Sequence, residues 1–220
     1  RARKARRARI PGRATNEEAR RNAASVDAGS LECQRISAAG YLVTGLVLAG
    51  GKSARMGTDK AVLRLHGERL VDRAVRVLQA CCAQVLVASG DGVRLTGLAV
   101  PQIADAVPDA GPLGGLVAGL EAATHDLVAV VAVDMPDADA GVLRRLADHW
   151  DGQAAVVPRA DGRLQPLHAV WAKAAAPDLR ALLDHGERSD TAAAERLGAL
   201  VIDADGWGPF AWNLNRPADL

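Results

Sequence analysis

Residues 126–136 read DLVAVVAVDMP, an unbroken apolar run from Leu127 to Val133 that ends at Asp134. An uninterrupted apolar strand is typical of a parallel sheet covered on both faces. Strand-like and helix-like segments alternate on both sides of this run. They predict an α/β fold in three layers, α/β/α, with a Rossmann-like, mostly parallel sheet and a hairpin-like excursion around residues 160–165.

Two acidic residues follow predicted strands. Asp134 closes the run above, and Asp105 closes the segment LAVPQIAD. In open α/β sheets, ligands bind outside the carboxyl ends of the strands. We therefore expect both carboxylates to face one crevice, together with the glycine-rich loop that follows the first predicted strand.

That loop is LAGGKSARMGTDK, residues 48–60, and it matches neither the Walker A pattern nor the dinucleotide pattern. Gly50 and Gly51 remove side chains where backbone N–H groups can approach phosphate oxygens. Arg55 offers a planar fork for phosphate, and Lys60 offers a point charge. The loop is a candidate phosphate site, and the alternative is a surface turn with solvated charges.

Charge is distributed unevenly along the 220 residues. Residues 1–40 hold ten basic and four acidic side chains, whereas the remainder holds 17 basic and 22 acidic ones. The acidic body argues against a nucleic-acid-binding protein, although the basic stretch leaves a nucleic-acid arm or a transit-like peptide open. We expect residues 1–40 to be a disordered leader and residues 41–220 to form one domain.

Two further properties bear on the compartment. No apolar run approaches the roughly 20 residues that span a bilayer, so no membrane segment is expected. The cysteines Cys33, Cys81 and Cys82 include no CxxC motif and predict reduced thiols without a metal site. A cytoplasmic protein is the expectation.

The order of residues in the loop resembles that of the molybdenum cofactor guanylyltransferases, within the nucleoside-triphosphate transferase superfamily. Further similar segments run in order over residues 43–220: IADAVPDAGPLGG, VAVDMP, DGRLQPLHAVW, HGERS and the terminal NLNRPADL. The resemblance implies a nucleotidyltransferase-type fold. It also implies an enzyme that transfers GMP from GTP to molybdopterin, or to its molybdenum-loaded form, and releases pyrophosphate.

The same resemblance implies roles for individual residues on the nucleotide side. The catalytic groups would be Arg55 and Lys60 at the phosphates and Asp134 as the Mg²⁺ ligand. Because the attacking group is an ionised phosphate, the chemistry needs positioning, cations and a metal rather than a general base. The nucleotide would be bound by Leu48, Ala49, Gly50, Gly51, Lys60, Asp105 and Asp134, with Gly51 favouring guanine over cytosine.

On the acceptor side the resemblance is weaker. It implies contacts to the pterin from Gln165, Pro166, His168, Asn213 and Asn215. The alternative for the two asparagines is a turn before a terminal helix. Transient contact with the enzymes that receive the finished cofactor is also implied.

One position departs from the family pattern. The family's asparagine after the second strand falls on Ala88, which has no amide to offer, and Ser89 or the backbone would have to replace it. The alternatives are therefore a CTP-dependent molybdopterin cytidylyltransferase, another small-molecule NTP transferase, or a non-catalytic cofactor-binding protein.

Overall fold

The computed structural model describes residues 40–50 and 59–214. The predicted leader, apart from Gly40, lies outside these residues. Within the described part of the chain, no helix combines the length and the apolar character that crossing a membrane requires. The described residues include the following elements: β1 Val43–Leu48, β2 Arg64–Leu65, β3 Glu68–Arg69, α1 Leu70–Gln79, β4 Gln84–Ala88, β5 Gln102–Ile103, α2 Pro112–Ala122, β6 Leu127–Ala132, α3 Ala140–Asp148, β7 Ala155–Ala160, β8 Arg163–Leu164, β9 His168–Ala172, α4 Ala176–Asp184, α5 Asp190–Arg196 and β10 Leu200–Asp203.

The main sheet has the strand order β10-β7-β9-β6-β1-β4-β5, and β8 pairs with β7. Strand β1 runs parallel to β4 and β6, and β4 runs parallel to β5. Strand β9 is antiparallel to both of its neighbours, and β10 is again parallel to β7. The sheet is therefore mostly parallel. The two strands of the expected excursion around residues 160–165 are β7 and β9, which pair antiparallel, and β8 between them pairs with β7.

Strand β1 lies at the middle of the parallel half, and every residue of β1 and β6 is buried. Its last residue, Leu48, is in register with Ala88 of β4 and with Ala132 of β6. The carboxyl ends of three neighbouring strands therefore reach the same edge of the sheet. The residues that follow Leu48, Ala88 and Ala132 are the ones that can meet there.

Helices cover both faces of the sheet, because successive strand residues point to opposite sides. Val47 and Val131 belong to the core that contains the buried faces of α1 and α3. Leu48 and Val130 belong to the core that contains those of α2, α4 and α5. This arrangement confirms the three predicted layers.

Glycines bring α2 unusually close to β1. A Cβ on Gly119 would lie 2.1 Å from a methyl carbon of Leu46, and one on Gly115 would lie 3.1 Å from a methyl carbon of Leu48. Any side chain at Gly119 would therefore displace the Leu46 side chain or push the helix away from the sheet. The close approach also brings the first turn of α2 to the carboxyl edge of the strands.

Candidate active site at the carboxyl edge of the sheet

The chain leaves β1 along the carboxyl edge. The Ala49 amide donates to the Ala88 carbonyl over 2.8 Å, and the Val133 amide donates to the Leu48 carbonyl over 3.0 Å. Leu48 and Ala49 are buried, whereas Gly50 is exposed. The side chains of Leu48 and Ala49 are thus in the core. At this turn a ligand can therefore contact only Gly50 and the backbone of the two preceding residues.

Asp105 lies against that turn. A Cβ on Gly50 would be 2.9 Å from Oδ2 of Asp105, and one on Gly115 would be 3.3 Å from Oδ1. Oδ1 is buried and has no hydrogen-bond partner among the described residues. Burial raises the pKa of the Asp105 carboxyl, and the nearby Arg94 guanidinium opposes this rise. The structure therefore brings two predicted nucleotide-binding residues, Gly50 and Asp105, into one site with an unused acceptor.

Lys60 and Asp134 meet at the same edge. Lys60 Nζ is 3.0 Å from Oδ2 of Asp134, and both side chains are partly exposed. Lys60 begins a short 3-10 turn, Lys60–Val62, whose amide at Ala61 is capped by the Asp59 carboxylate. These two predicted catalytic residues, 74 positions apart in sequence, form one ion pair.

The C-terminal segment reaches this ion pair. Lys60 Nζ also donates to the Leu214 carbonyl over 2.9 Å, and the Leu214 amide donates to the Asp134 carbonyl over 2.8 Å. Leu214 stands between Asn213 and Asn215 of the predicted acceptor-side motif. The Lys60–Asp134 ion pair and the predicted acceptor-side motif are therefore linked directly by hydrogen bonds to Leu214.

A cleft lies beside the C-terminal segment. It has a volume of about 550 Å³, and an adjoining cavity of about 360 Å³ shares five of its lining residues. Gln165 lines the smaller cavity, Asn213 lines both, and Trp212 lines the larger one with 42% of its surface exposed. The charged side chains that line the larger cleft are Asp137, Asp161, Arg163 and Asp205.

Similarity to known proteins agrees with this geometry. The model of the MobA-like NTP transferase domain matches residues 45–198. The chain is 44% identical to the "Probable molybdenum cofactor guanylyltransferase" of Opitutus terrae, over 84% of this chain and 96% of the relative. It is 39% identical to the molybdenum cofactor guanylyltransferase of Cereibacter sphaeroides, over 80% of this chain and 92% of the relative.

The chain belongs to the MobA-like NTP transferase family. Its relatives are molybdenum cofactor guanylyltransferases, and the chain is accordingly a nucleotidyltransferase.

Solved structures share the fold of this family. Molybdopterin-guanine dinucleotide biosynthesis protein A from Archaeoglobus fulgidus has a TM-score of 0.68 at 25% identity, over 80% of this chain and 94% of that protein. Rv0371c of Mycobacterium tuberculosis H37Rv, in complex with manganese, has a TM-score of 0.53 at 17% identity, over 75% of this chain and 89% of that protein. Both agree with the predicted nucleotidyltransferase-type α/β fold.

Within this MobA-like chain, the predicted pterin contacts divide into two groups. Gln165 and Asn213 reach the cleft, as described above. His168 and Pro166 are buried. The His168 ring packs against Phe210 with centroids 4.9 Å apart, and the Pro166 carbonyl accepts from the indole N–H of Trp171. A direct pterin contact from the His168 ring is not compatible with its full burial.

His168 instead supports the start of α3. Its Nε2 accepts a hydrogen bond from the Asp139 amide over 3.1 Å, so the ring proton is on Nδ1. Burial lowers the pKa of His168 to about 4, which keeps the ring neutral. Asp139 caps α3 through the Val142 amide, and the histidine therefore holds the turn that follows Asp134 rather than a ligand.

Ala88 gives the MobA-like site no polar group where the family has asparagine. Its Cβ lies 3.2 Å from where a Cβ of Gly115 would be, in the tightly packed junction with α2. Ser89 is fully buried and its hydroxyl has no partner among the described residues. The Ser89 hydroxyl is thus unused by the described residues, and its replacement of the missing amide stays a prediction.

Three predicted residues, Gly51, Arg55 and Asn215, lie outside the described residues. No pattern in the sequence pointed to Arg94, which lies near Asp105. The same holds for three aspartates of the cleft, which are Asp137, Asp161 and Asp205. Charged residues in turns occur throughout such a sequence, and only their position beside the sheet edge distinguishes these. The segment DGRLQPLH, which was singled out for Gln165 and His168, was the one signal that pointed toward Arg163.

Proposed function

We propose that this protein transfers GMP from GTP to the terminal phosphate of molybdopterin and releases pyrophosphate. The observation that carries the proposal is the meeting of Lys60 with Asp134 at the same sheet edge as Gly50 and Asp105. Backbone N–H groups, a cation and two carboxylates are the groups that phosphoryl transfer requires.

The chemistry proceeds without a protein base. A phosphate monoester is largely ionised at neutral pH, since its second pKa is about 6. Its oxygen attacks the α-phosphorus of GTP, a P–O bond to GMP forms, and the bond to the β-phosphate breaks so that pyrophosphate leaves. Lys60 is well suited to neutralise the charge that develops on the leaving group.

The donor set fits Mg²⁺. Among the described residues, no three His, Cys, Asp or Glu side chains are grouped to hold a metal ion. Mg²⁺ usually takes one or two protein carboxylates together with substrate phosphates and waters. Asp134, already paired with the cationic Lys60, would hold Mg²⁺, which supplies charge neutralisation at the phosphates.

Lys60 has two sets of acceptors in this scheme. One set is seen in the structure, where the ammonium group donates to the Asp134 carboxylate and to the Leu214 carbonyl, and the phosphates of GTP would be the other. If Lys60 donated to the phosphates instead, the Asp134 carboxylate would be free to hold Mg²⁺. Filling the nucleotide site would therefore also release Leu214, next to the acceptor-side asparagines.

The acceptor fits the cleft by its chemistry. A pterin is a flat heterocycle with an amino group and ring N–H donors, and molybdopterin carries a phosphate. Trp212 offers an exposed aromatic face, the cleft carboxylates offer acceptors, and Arg163 offers a phosphate partner. Gln165 and Asn213 complete the polar lining.

The cytoplasm is the compartment we propose for this reaction, in contact with the enzymes that receive the cofactor. GTP and Mg²⁺ are both available there.

Thermal unfolding with nucleotides tests the choice of substrate. At 100 times Kd, GTP with Mg²⁺ should stabilise the protein by about 2.7 kcal/mol, or roughly 5–10 °C in Tm for a chain of this size. CTP should give a clearly smaller shift. Equal or larger stabilisation by CTP would indicate a cytidylyltransferase.

Turnover tests the reaction itself. Purified protein with molybdopterin, Mg²⁺ and either GTP or CTP should release pyrophosphate with GTP. Binding of GTP without pyrophosphate release would indicate a non-catalytic cofactor-binding protein, for which the departure at Ala88 is the best argument.

A further inference from the structure

Arg94 lies in the connection between β4 and β5, and its backbone is held firmly. The amides of Val93 and Arg94 both donate to Oδ1 of Asp91 over 2.9 Å. The next residue, Leu95, exchanges two hydrogen bonds with the Gln102 side chain. The guanidinium thus starts from a fixed point, and only 25% of the Arg94 side chain is exposed.

The guanidinium reaches both ends of the glycine-rich loop. Nη2 donates to the Ala49 carbonyl, Nη1 pairs with Oδ2 of Asp59, and Nε donates to the Ser89 carbonyl. Ala49 precedes Gly50, which lies against Asp105, and Asp59 caps the turn that begins with Lys60. One planar cation therefore joins the nucleotide-facing turn to the turn that presents the phosphate-facing lysine.

We propose that Arg94 is a positioning residue of the nucleotide site, one that clamps Ala49 and Asp59 so that Gly50 and Lys60 are held ready for a triphosphate. The assignment rests on the proposed function, since it names a residue that prepares the same site. Without the clamp, nucleotide binding would have to order two separate turns. The entropy lost in ordering them would make the binding free energy less favourable and so weaken the affinity for GTP.

The geometry favours arginine over lysine. Three acceptors, two carbonyls and a carboxylate, surround the side chain at different angles. A guanidinium presents five N–H donors in a rigid fork, whereas an ammonium is a point charge that would have to choose among them. Arg94→Lys should therefore restore only part of the function lost in Arg94→Gln.

The first experiment compares substrate dependence in Arg94→Gln, Arg94→Lys and a control, Arg76→Gln, which removes an exposed arginine paired with Glu68. Arg94→Gln should raise KM for GTP and Kd for GTP·Mg²⁺ about tenfold, leaving KM for molybdopterin within about twofold of wild type. The GTP constants of Arg94→Lys should lie between those of wild type and Arg94→Gln, and those of Arg76→Gln should equal the wild-type values. Unchanged GTP constants, or equal rises in both KM values, would overturn the clamp.

A second variant covers the case in which Arg94→Gln folds poorly. Asp59→Asn keeps an oxygen to cap the Ala61 amide but loses the charge that pairs with Arg94. It should raise KM for GTP about threefold, and the double variant should be no worse than Arg94→Gln alone. Full additivity of the two effects would contradict a shared role.

Hydrogen exchange tests the clamp without any nucleotide. The Ala49 and Ala61 amides are bonded to Ala88 and Asp59, and in Arg94→Gln both should exchange about tenfold faster than in wild type. The α2 amides of the same variant serve as the internal reference. Unchanged exchange at Ala49 and Ala61 would overturn the clamp even if GTP binds, whereas a wild-type protein that fails to bind GTP would instead overturn the proposed function.

Discussion

The two halves of the sheet build their parts of the site in different ways. In the parallel half, β1, β4 and β6 end in register, and short turns carry Gly50 and Asp134 to one edge. In the mixed half, the cleft is made from the β7–β8 hairpin and the segment before Leu214, regions distant in sequence. The proposed nucleotide side therefore depends on strand register, and the proposed acceptor side depends on how the hairpin packs against the segment before Leu214.

Electrostatics also separates the halves. Lys60 and Arg94 each make an ion pair with an aspartate at the nucleotide edge. The acceptor cleft has one basic residue, Arg163, against three aspartates among its described lining residues. At the first edge Lys60 and Arg94 are the groups that can meet a triphosphate, and in the cleft the aspartates can accept from the N–H donors of a pterin while Arg163 can meet its phosphate. Substitutions on the two sides should consequently change different kinetic constants.

The largest effect should come from the nucleotide edge. Asp134→Asn removes the charge that would hold Mg²⁺ while keeping the size of the side chain, and we expect kcat to fall about a thousandfold or more. Steady-state pyrophosphate release measures this loss. Asp178→Asn, an exposed carboxylate on α4, is the control and should keep wild-type turnover. Full activity of Asp134→Asn would refute the metal assignment.

The next largest effect concerns the stability of the protein in acid, which His168 should control. His168 has a pKa of about 4 when folded and about 6.5 when unfolded, so the unfolded chain binds the extra proton between these values. Stability should therefore be fully present above pH 6.5 and should fall by about 3 kcal/mol as the pH decreases to 4.

The free energy of unfolding, measured with denaturant at a series of pH values, tests this loss of stability in acid. His168→Gln, which keeps an acceptor for the Asp139 amide, should reduce the loss between pH 6.5 and 4. If the variant lost as much stability between pH 6.5 and 4 as wild type does, groups other than His168 would be responsible for the loss.

A pair of glycine variants separates local fit from core packing. Gly50→Ala would bring a methyl group to 2.9 Å from the Asp105 carboxylate, which can move, so KM for GTP should rise about tenfold with little change in Tm. Gly119→Ala would meet Leu46 in the core, and it should lower stability by about 1–3 kcal/mol. Equal losses of stability in the two variants would contradict this division.

The smallest effect should come from the acceptor side. Trp212→Leu removes an exposed aromatic face from the cleft and should raise KM for molybdopterin about fivefold, consistent with roughly 1 kcal/mol of stacking, with KM for GTP unchanged. Trp207→Leu is the matched control, because Trp207 packs beneath Arg145 and does not line the cleft. A selective rise in KM for GTP in Trp212→Leu would break the proposed separation of the two sides.

Local pattern was sufficient to predict the elements that an apolar run or a glycine loop specifies. The run from Leu127 to Val133 predicted a buried strand, and β6 occupies it as Leu127–Ala132. Two acids at predicted strand ends were expected to share a crevice with the loop, and the contacts of Asp105 and Asp134 agree with that expectation. These predictions succeed because a parallel sheet brings its carboxyl ends together whatever the connecting segments are.

What the sequence alone determined about this protein is its fold class, its family and the nucleotide-edge candidates, since each follows from periodicity or from contiguous motifs. Only the tertiary structure decided that His168 is buried, that Leu214 bonds to Lys60 and that Arg94 joins Ala49 to Asp59. The reason is physical. These contacts join residues that are far apart in the chain, and burial and distance arise from packing that no local spacing encodes.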